Sequence, residues 1–158
     1  MTLFLGNHQN KLDSKGRVSV PAPFRAALRD PAAEEATIRL VLRPSHKVPC
    51  IEVWPEATFQ ALAAPLDRMA LFSDEHDDLA SALFADAFAV ETDREGRVVL
   101  PEALLVHAGL GQTLEFVGHG RIFRIWDPET GARHRAEART RTQARGLTLP
   151  SAAVAGPG

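Results

Sequence analysis

The sequence contains one ten-residue block twice, and this internal repeat constrains the fold more than any other feature. The first copy reads L-D-S-K-G-R-V-S-V-P at residues 12–21, and the second reads T-D-R-E-G-R-V-V-L-P at residues 92–101. A second pair follows in the same order, I-E-V-W at residues 51–54 and F-R-I-W at residues 123–126. Duplication followed by a loop insertion gives this combination of kept order and altered spacing. The chain is therefore predicted to contain two related structural units.

Each block predicts a tight turn followed by a short strand. In the pattern D-x-x-G-R, the aspartate can accept hydrogen bonds from nearby backbone amides, and glycine supplies a positive φ that other residues resist. The residues after the glycine are rich in β-branched and apolar side chains, which favours strands. A proline then ends each strand because it cannot donate to a neighbouring strand. The residues with these roles are Asp13, Gly16 and Pro21 in the first copy and Asp93, Gly96 and Pro101 in the second.

The segments that follow each block predict a short helix and two further strands. Helices are expected at residues 22–29 and 102–108, the second of them ended by Gly109. Each copy is thus expected to form a β-hairpin, a short helix and two strands. The later strands are predicted at residues 38–42 and 51–54 in the first copy and at 113–117 and 121–126 in the second, with a hairpin turn at 118–120.

One copy alone would bury little apolar surface and leave strand edges unpaired, so the two copies are expected to pair into one barrel-like body. The predicted fold class is mainly β with short helices (α+β). The linker is expected to be helical at residues 56–66 and at 74–84, where Ser73 is a plausible cap. The predicted boundaries are residues 5–55 for the first repeat, 56–84 for the linker, 85–128 for the second repeat, 129–145 for a C-terminal helix and 146–158 for a disordered tail.

Charge is segregated along the chain although its total is small. The formal net charge is −2, which by itself argues against a nucleic-acid binder. Residues 1–30 carry +3 and residues 118–146 carry +4, whereas residues 51–95 carry −9. The basic regions therefore favour contact with an anionic partner such as DNA.

Cysteine usage and hydropathy indicate a cytoplasmic protein. Cys50 is the single cysteine, which excludes an internal disulfide and a multi-cysteine zinc site. No stretch approaches the roughly 20 apolar residues of a membrane span. We expect a cytoplasmic protein associated with the nucleoid.

The sequence shows no grouping of nucleophile, base and orienting residue that would indicate catalysis. The acidic run at residues 74–78 is typical of a helix start, where carboxylates are stabilised by the helix dipole. Neither an enzyme nor a metal, cofactor or small-molecule substrate is expected. An enzyme on a barrel fold remains an alternative that requires a pocket with close acidic and basic groups, and a scaffold role without DNA is another.

The basic residues of the two blocks are the candidates for DNA contact, because a two-stranded ribbon fits the major groove and arginine can bond guanine at two points. These candidates are Lys11, Lys15, Arg17 and Arg25 in the first copy and Arg97 in the second. A turn salt bridge to Asp13 is the alternative role for Arg17. Structural pairing with Asp93 is favoured for Arg97.

The duplicated D-x-x-x-R motif followed by proline, with each copy ending in a V-W or I-W strand, resembles the MraZ family over about residues 1–129. The resemblance implies the swapped-hairpin fold of AbrB-like proteins, a pseudo-symmetric, double-psi-like β-barrel made of two repeats. It also implies a transcriptional regulator that forms rings and binds repeated sites in double-stranded DNA upstream of its own cell-division and cell-wall gene cluster. A ring fits the physics, because one hairpin offers about three phosphate contacts, each worth roughly 0.9 in the salt slope.

Three departures from the family pattern distinguish this chain. Leu105 stands where the second copy usually has arginine, residues 74–78 are acidic where relatives often have basic residues, and Arg124 replaces an often acidic residue. The first hairpin is therefore expected to contact DNA, and the second to complete the fold and the ring. The alternative function is an AbrB-like antitoxin-type DNA-binding module with a protein partner.

Overall fold

The computed structural model describes residues 3–29 and 37–151. The chain divides into two compact units, Met1–Pro128 and Glu129–Gly158. Residues 152–158, most of the expected disordered tail, lie outside the described residues. Residues 30–36 of the expected first repeat do so as well.

The described strands form one six-stranded antiparallel sheet and a separate two-stranded ribbon. The strands are β1 (Asn7–Lys11), β2 (Arg17–Ser19), β3 (Arg39–Pro44), β4 (Ile51–Pro55), β5 (Phe88–Glu91), β6 (Arg97–Val99), β7 (Thr113–His119) and β8 (Ile122–Trp126). The sheet has the order β1-β7-β8-β4-β3-β5, and β2 pairs with β6 in the ribbon. This architecture confirms the predicted α+β class. Pairing among the described strands does not close a barrel, because β1 and β5 are open edges of the larger sheet.

Short helices connect the strands. They are α1 (Ala22–Leu28), α2 (Glu56–Gln60), α3 (Ala63–Asp67), α4 (Asp74–Ala80) and α5 (Glu102–His107), with a π-helical turn at Ser81–Ala85 after α4. A longer helix, α6 (Pro128–Arg145), follows the last strand. The single helix expected at residues 56–66 is divided into α2 and α3. Pro65 explains this, because it lacks the N–H that a continuous helix would donate to the carbonyl of Ala61.

The block at residues 12–21 does not fold as a hairpin whose two arms pair with each other. The arm before the turn, β1, pairs with β7, whereas the arm after it, β2, pairs with β6 of the other repeat. The hairpin expected in each copy therefore has its second arm exchanged with the other repeat, in agreement with the swapped-hairpin fold that the resemblance implies. Strands β2 and β6 have three residues each and could bury little surface alone. Exchange of the second arm between the repeats gives each of them a strand to pair with.

The core lies between the ribbon and one face of the large sheet. Val18 and Val98 are 1% and 3% exposed at the centre of the ribbon. The ring of Phe24 in α1 contacts two rings on the sheet. Its centroid lies 5.5 Å from that of Phe4, which precedes β1, and 4.8 Å from that of Phe123 in β8. The two repeats share this core, so neither has a hydrophobic interior of its own.

The linker packs on the opposite face of the sheet. Trp54 of β4 contacts Phe59 of α2, and Phe59 contacts Phe84 of the π-helical turn, with centroid distances of 5.7 and 5.6 Å. Ser73 caps α4 by accepting a hydrogen bond from the amide of His76 at 3.2 Å. The linker is thereby anchored to the sheet by aromatic contacts.

The ribbon offers a matched pair of substitutions that tests the shared core. Val98→Ala removes two buried methyl groups and should lower the free energy of unfolding by about 2 kcal/mol. Val99→Ala alters a neighbour that is 57% exposed and should change it by less than about 0.5 kcal/mol. Urea unfolding of both variants measures the difference, and equal effects would contradict the inward orientation of Val98.

Candidate nucleic-acid interface

The outer face of the ribbon brings the two repeat motifs side by side. Val18 is opposite Val98 at its centre, Arg17 is opposite Val99, and Ser19 is opposite Arg97. Because side chains alternate along a strand, the residues flanking the two central valines lie on the other face. Arg17 and Arg97 therefore occupy diagonal positions on one surface, related by a pseudo-twofold axis through the valine pair.

The turns are bound to each other across the same axis. The amide of Val20 donates to the carbonyl of Gly96, and the amide of Leu100 donates to the carbonyl of Gly16, both at 3.0 Å. Gly16 and Gly96 have φ values of 77° and 81°, in the left-handed region that glycine adopts without steric cost. These equivalent bonds give the two turns the same position on either side of the ribbon.

Each turn holds its arginine through a carboxylate. Asp13 accepts hydrogen bonds from the amide and the Nε of Arg17, both at 2.8 Å, and from the amide of Lys15 at 2.9 Å. Asp93 repeats this pattern with Arg97, at 2.9 Å for the amide and 2.8 Å for Nε. The backbone amides of Arg17 and Arg97, together with the arginine side chains, lower the pKa of both aspartates.

This geometry reconciles the two roles considered for Arg17. Asp13 uses only the Nε of the guanidinium, and no hydrogen bond to the two terminal nitrogens of Arg17 occurs among the described residues. Arg97 is similar, except that its Nη2 also lies 3.5 Å from a carboxylate oxygen of Glu95. An aspartate bound in this way orients the arginine and leaves its terminal amino groups for another acceptor.

Arg25 extends from the first repeat over the turn of the second. Its Nη1 donates to the carbonyl of Val20 at 2.8 Å, and its side chain crosses Gly96 so closely that a Cβ there would clash with Cδ of Arg25. Leu105 follows Pro101 by the same interval as Arg25 follows Pro21, and it packs against the core instead. Among the described residues nothing comparable covers Gly16, since a Cβ built there has no atom within 4 Å apart from those of its chain neighbours.

The ribbon and its turns form a surface with a modest positive charge. Lys15 is exposed in the first turn, and exposed Arg94 lies at the corresponding stretch of the second. Arg94 was not among the sequence candidates, although its place within D-x-x-G could have indicated it. Lys11 ends β1, opposite Thr113 of β7, and so lies outside the ribbon. The surface contains Lys15, Arg17, Arg25, Arg94 and Arg97 against Asp13, Asp93 and Glu95, a net charge of +2.

A second charged group lies buried on the sheet face that carries the linker. Arg43 is 1% exposed, and its Nη1 lies 2.6 Å from Oε1 of Glu52, while its Nη2 donates to the carbonyl of Ala82 at 2.9 Å. Arg124 lies opposite Glu52 on β8, with 3.9 Å between its Nη2 and Oε2. The departure at Arg124 thus adds a second cation beside one buried carboxylate.

Burial acts to raise the pKa of Glu52, but its two arginine neighbours and the indole of Trp54 outweigh that effect and lower it. Burial raises the pKa of the nearby Cys50 thiol to about 12, so this cysteine stays protonated and unreactive near neutral pH. Among the described residues, no three histidine, cysteine or acidic side chains are grouped as metal ligands would be. No described helix is long and apolar enough to cross a membrane.

The two positive-φ glycines allow a test of the contact with Arg25. Gly16→Ala should lower the free energy of unfolding by about 1–2 kcal/mol through backbone strain alone. Gly96→Ala should cost about 1–3 kcal/mol more because its methyl group displaces Arg25. In an Arg25→Ala background this excess should vanish. An excess that persists there in urea unfolding would show that Arg25 is not its cause.

The lowered aspartate pKa values predict an acid dependence of stability. A carboxyl whose pKa is lower in the folded chain stabilises it above the unfolded value of about 3.9. That stabilisation is lost as the pH falls through the folded value. The double variant Asp13→Asn/Asp93→Asn should therefore lose less stability than the parent between about pH 5 and pH 2, as measured by urea unfolding across that range. The remaining slope includes Glu52, and an unchanged slope would contradict the role of these turns.

Comparison with known proteins assigns the fold to a family. The family model for MraZ, described as "MraZ protein, putative antitoxin-like", matches residues 3–81 and 83–144. A transcriptional regulator MraZ of Gluconacetobacter diazotrophicus is 58% identical over 151 residues, which cover 96% of this chain and 94% of that protein. A protein of the same name from Gluconobacter oxydans is 49% identical, with 99% and 96% covered, and one from Azorhizobium caulinodans is 37% identical, with 90% and 88% covered. The chain belongs to the MraZ family of transcriptional regulators.

Proposed function

We propose that this chain regulates transcription by binding double-stranded DNA through the outer face of the β2–β6 ribbon. The observation that carries the proposal is the diagonal pair Arg17 and Arg97, each held through Nε by an aspartate of its own turn. A two-stranded ribbon fits the major groove, and an arginine whose terminal nitrogens are available, as those of Arg17 are, can bond O6 and N7 of guanine. Arg97 can do the same when its Nη2 exchanges Glu95 for the base. Holding the side chain before binding reduces the entropy lost on contact.

The flanking cations supply contacts to phosphate. Lys15 is exposed beside Arg17 in the first turn, and Arg25 brings a positive charge from the first repeat to the second turn. Lys11 is the remaining candidate and would reach phosphate from the end of β1, outside the ribbon. Contacts of this kind position the protein without reading sequence.

Both repeats thus take part in the proposed interface, in contrast to the expectation that the second only completes the fold. Arg25 partly compensates for Leu105 by placing an arginine of the first repeat at the second turn. The pseudo-twofold axis of the ribbon places Arg17 and Arg97 symmetrically. One chain is therefore suited to contact both strands of a short DNA segment.

We further propose that several copies form a ring on repeated DNA sites. A ribbon with about five cations neutralises few phosphates, and each contact contributes roughly 0.9 to the salt slope, so a single copy would bind weakly at physiological salt. Linked copies that face spaced sites gain affinity through effective concentration. The proposed targets are repeats upstream of the chain's own cell-division and cell-wall gene cluster, and the proposed location is the cytoplasmic nucleoid.

Binding to the DNA upstream of the chain's own gene, compared with a scrambled duplex over a salt series, tests the proposal. Arg17→Ala and Arg97→Ala should each weaken binding to the upstream DNA by about 1–3 kcal/mol and reduce its preference over scrambled DNA. Lys15→Ala should weaken binding to both duplexes alike and lower the salt slope by about 0.9.

Arg68→Ala, at an exposed linker position, serves as the control and should bind as the parent does. Fluorescence anisotropy measures all the affinities, and circular dichroism verifies folding. If folded Arg17→Ala/Arg97→Ala bound the upstream DNA as tightly as the parent at equal salt, the proposed interface would be wrong. Copurification of a stable unrelated protein would instead favour the antitoxin-type alternative.

A further inference from the structure

Phe72, between α3 and α4, has an unusual position for an aromatic residue. It is 93% exposed, more than any other large apolar residue in the described part of the chain. It is also the one described non-glycine residue with a positive φ, at 68°. Leu71 beside it is 70% exposed. An isolated chain thus bears both backbone strain and apolar exposure at this point, and contact with another surface would offset them.

The helix that follows Phe72 is strongly acidic. Its four carboxylates belong to Asp74, Glu75, Asp77 and Asp78, and all four side chains are exposed. The described residues of α4 include no lysine or arginine. Phe72 and α4 together therefore present an aromatic side chain next to a negative surface, which we call the acidic knob (residues 71–78).

Helix α6 has the complementary properties. It contains five arginines and two glutamates, a net charge of +3, and Arg139, Arg141 and Arg145 are exposed. The short side chains of Ala136 and Thr140 lie one turn apart and leave a shallow, mostly apolar recess of about 310 Å³, bounded also by Glu137 and Arg141. This basic recess (residues 136–145) combines apolar surface for a ring with a guanidinium that can contact its face.

We propose that the acidic knob of one copy of this chain docks on the basic recess of the next copy. The inference rests on the ring assembly proposed above and assigns its contact surfaces. A ring of more than two subunits requires two different surfaces on each chain that fit each other head to tail. The knob and the recess differ in shape and carry opposite charge, as such a contact requires. The exposed acidic residues of α4 thus acquire a role in assembly.

Exchange of charge between the two surfaces tests this contact. The first variant, Glu75→Lys/Asp77→Lys/Asp78→Lys, changes the net charge of the knob from −4 to +2. The second, Arg141→Glu/Arg145→Glu, changes that of the recess from +2 to −2. Each variant alone would place like charges together at every contact and should dissociate. An equimolar mixture pairs opposite charges at every contact and should restore the assembled mass. Arg121→Glu/Arg133→Glu is the control, with the same change in charge at exposed positions outside the recess.

Sedimentation velocity, with circular dichroism to verify folding, distinguishes the outcomes. Dissociation of each folded variant with reassembly of the mixture supports the proposal. If the parent assembles and both variants retain its mass, the contact surfaces are wrong while the ring stands. If the parent itself is monomeric, the ring and this contact both fail. A further variant combines the knob and recess substitutions in one chain. If it regains the mass of the parent but the mixture does not, the two surfaces pair within one chain and the proposal is overturned.

Phe72→Gly provides a second, independent readout. Glycine adopts a positive φ without strain, so the variant should melt at a higher temperature than the parent when both are monomeric. Loss of the aromatic side chain should nevertheless raise the dissociation constant between subunits about 10- to 100-fold. A variant that is more stable and dissociates on dilution as the parent does would show that Phe72 lies outside the contact.

Discussion

The pairing of β2 with β6 joins the two copies of the repeat, and the other features of the structure depend on it. Each strand has three residues and could not form a stable sheet with its own turn. Paired with each other, they bury Val18 against Val98 and close the core between the ribbon and the large sheet. The hydrogen bonds from Val20 to Gly96 and from Leu100 to Gly16 extend this pairing into both turns. The fold and the candidate interface therefore form together.

The same pairing explains how a chain with a net negative charge can present a basic surface. The ribbon collects cations from two segments that lie 80 residues apart in the sequence. Each aspartate of the turns compensates one arginine electrostatically, yet it binds only Nε and the backbone amides. The positive terminal nitrogens of Arg17 thus remain on the outer face. Local neutralisation and availability for DNA are compatible because they involve different atoms of one guanidinium.

The opposite face of the large sheet has a different function, which is to hold the linker. Arg43 joins Glu52 of the neighbouring strand to the carbonyl of Ala82 in the π-helical turn, and Trp54 packs on Phe59. A buried ion pair contributes little net stability by itself, but removal of one partner leaves an unpaired charge in the interior. The linker is therefore positioned by contacts that are costly to break, and it presents α4 with its carboxylates on the surface.

The duplication, the turn chemistry and the short helices after Pro21 and Pro101 could be predicted from the sequence, because they depend on local preferences of aspartate, glycine and proline. The family followed from the same motifs. Strands β1 and β5 were predicted only as the first arms of the two hairpins, without bounds or partners, since a polar segment such as N-H-Q-N-K becomes a strand only when β7 is available to pair with it.

The sequence by itself thus determined where each turn lies and which residues could carry positive charge. The tertiary structure alone decided that β2 and β6 pair with Val18 opposite Val98, that Arg25 covers the second turn and that Glu52 lies between Arg43 and Arg124. The physical reason is that these contacts join residues far apart in the chain. Their geometry is set by strand register and core packing, which local sequence preferences do not encode.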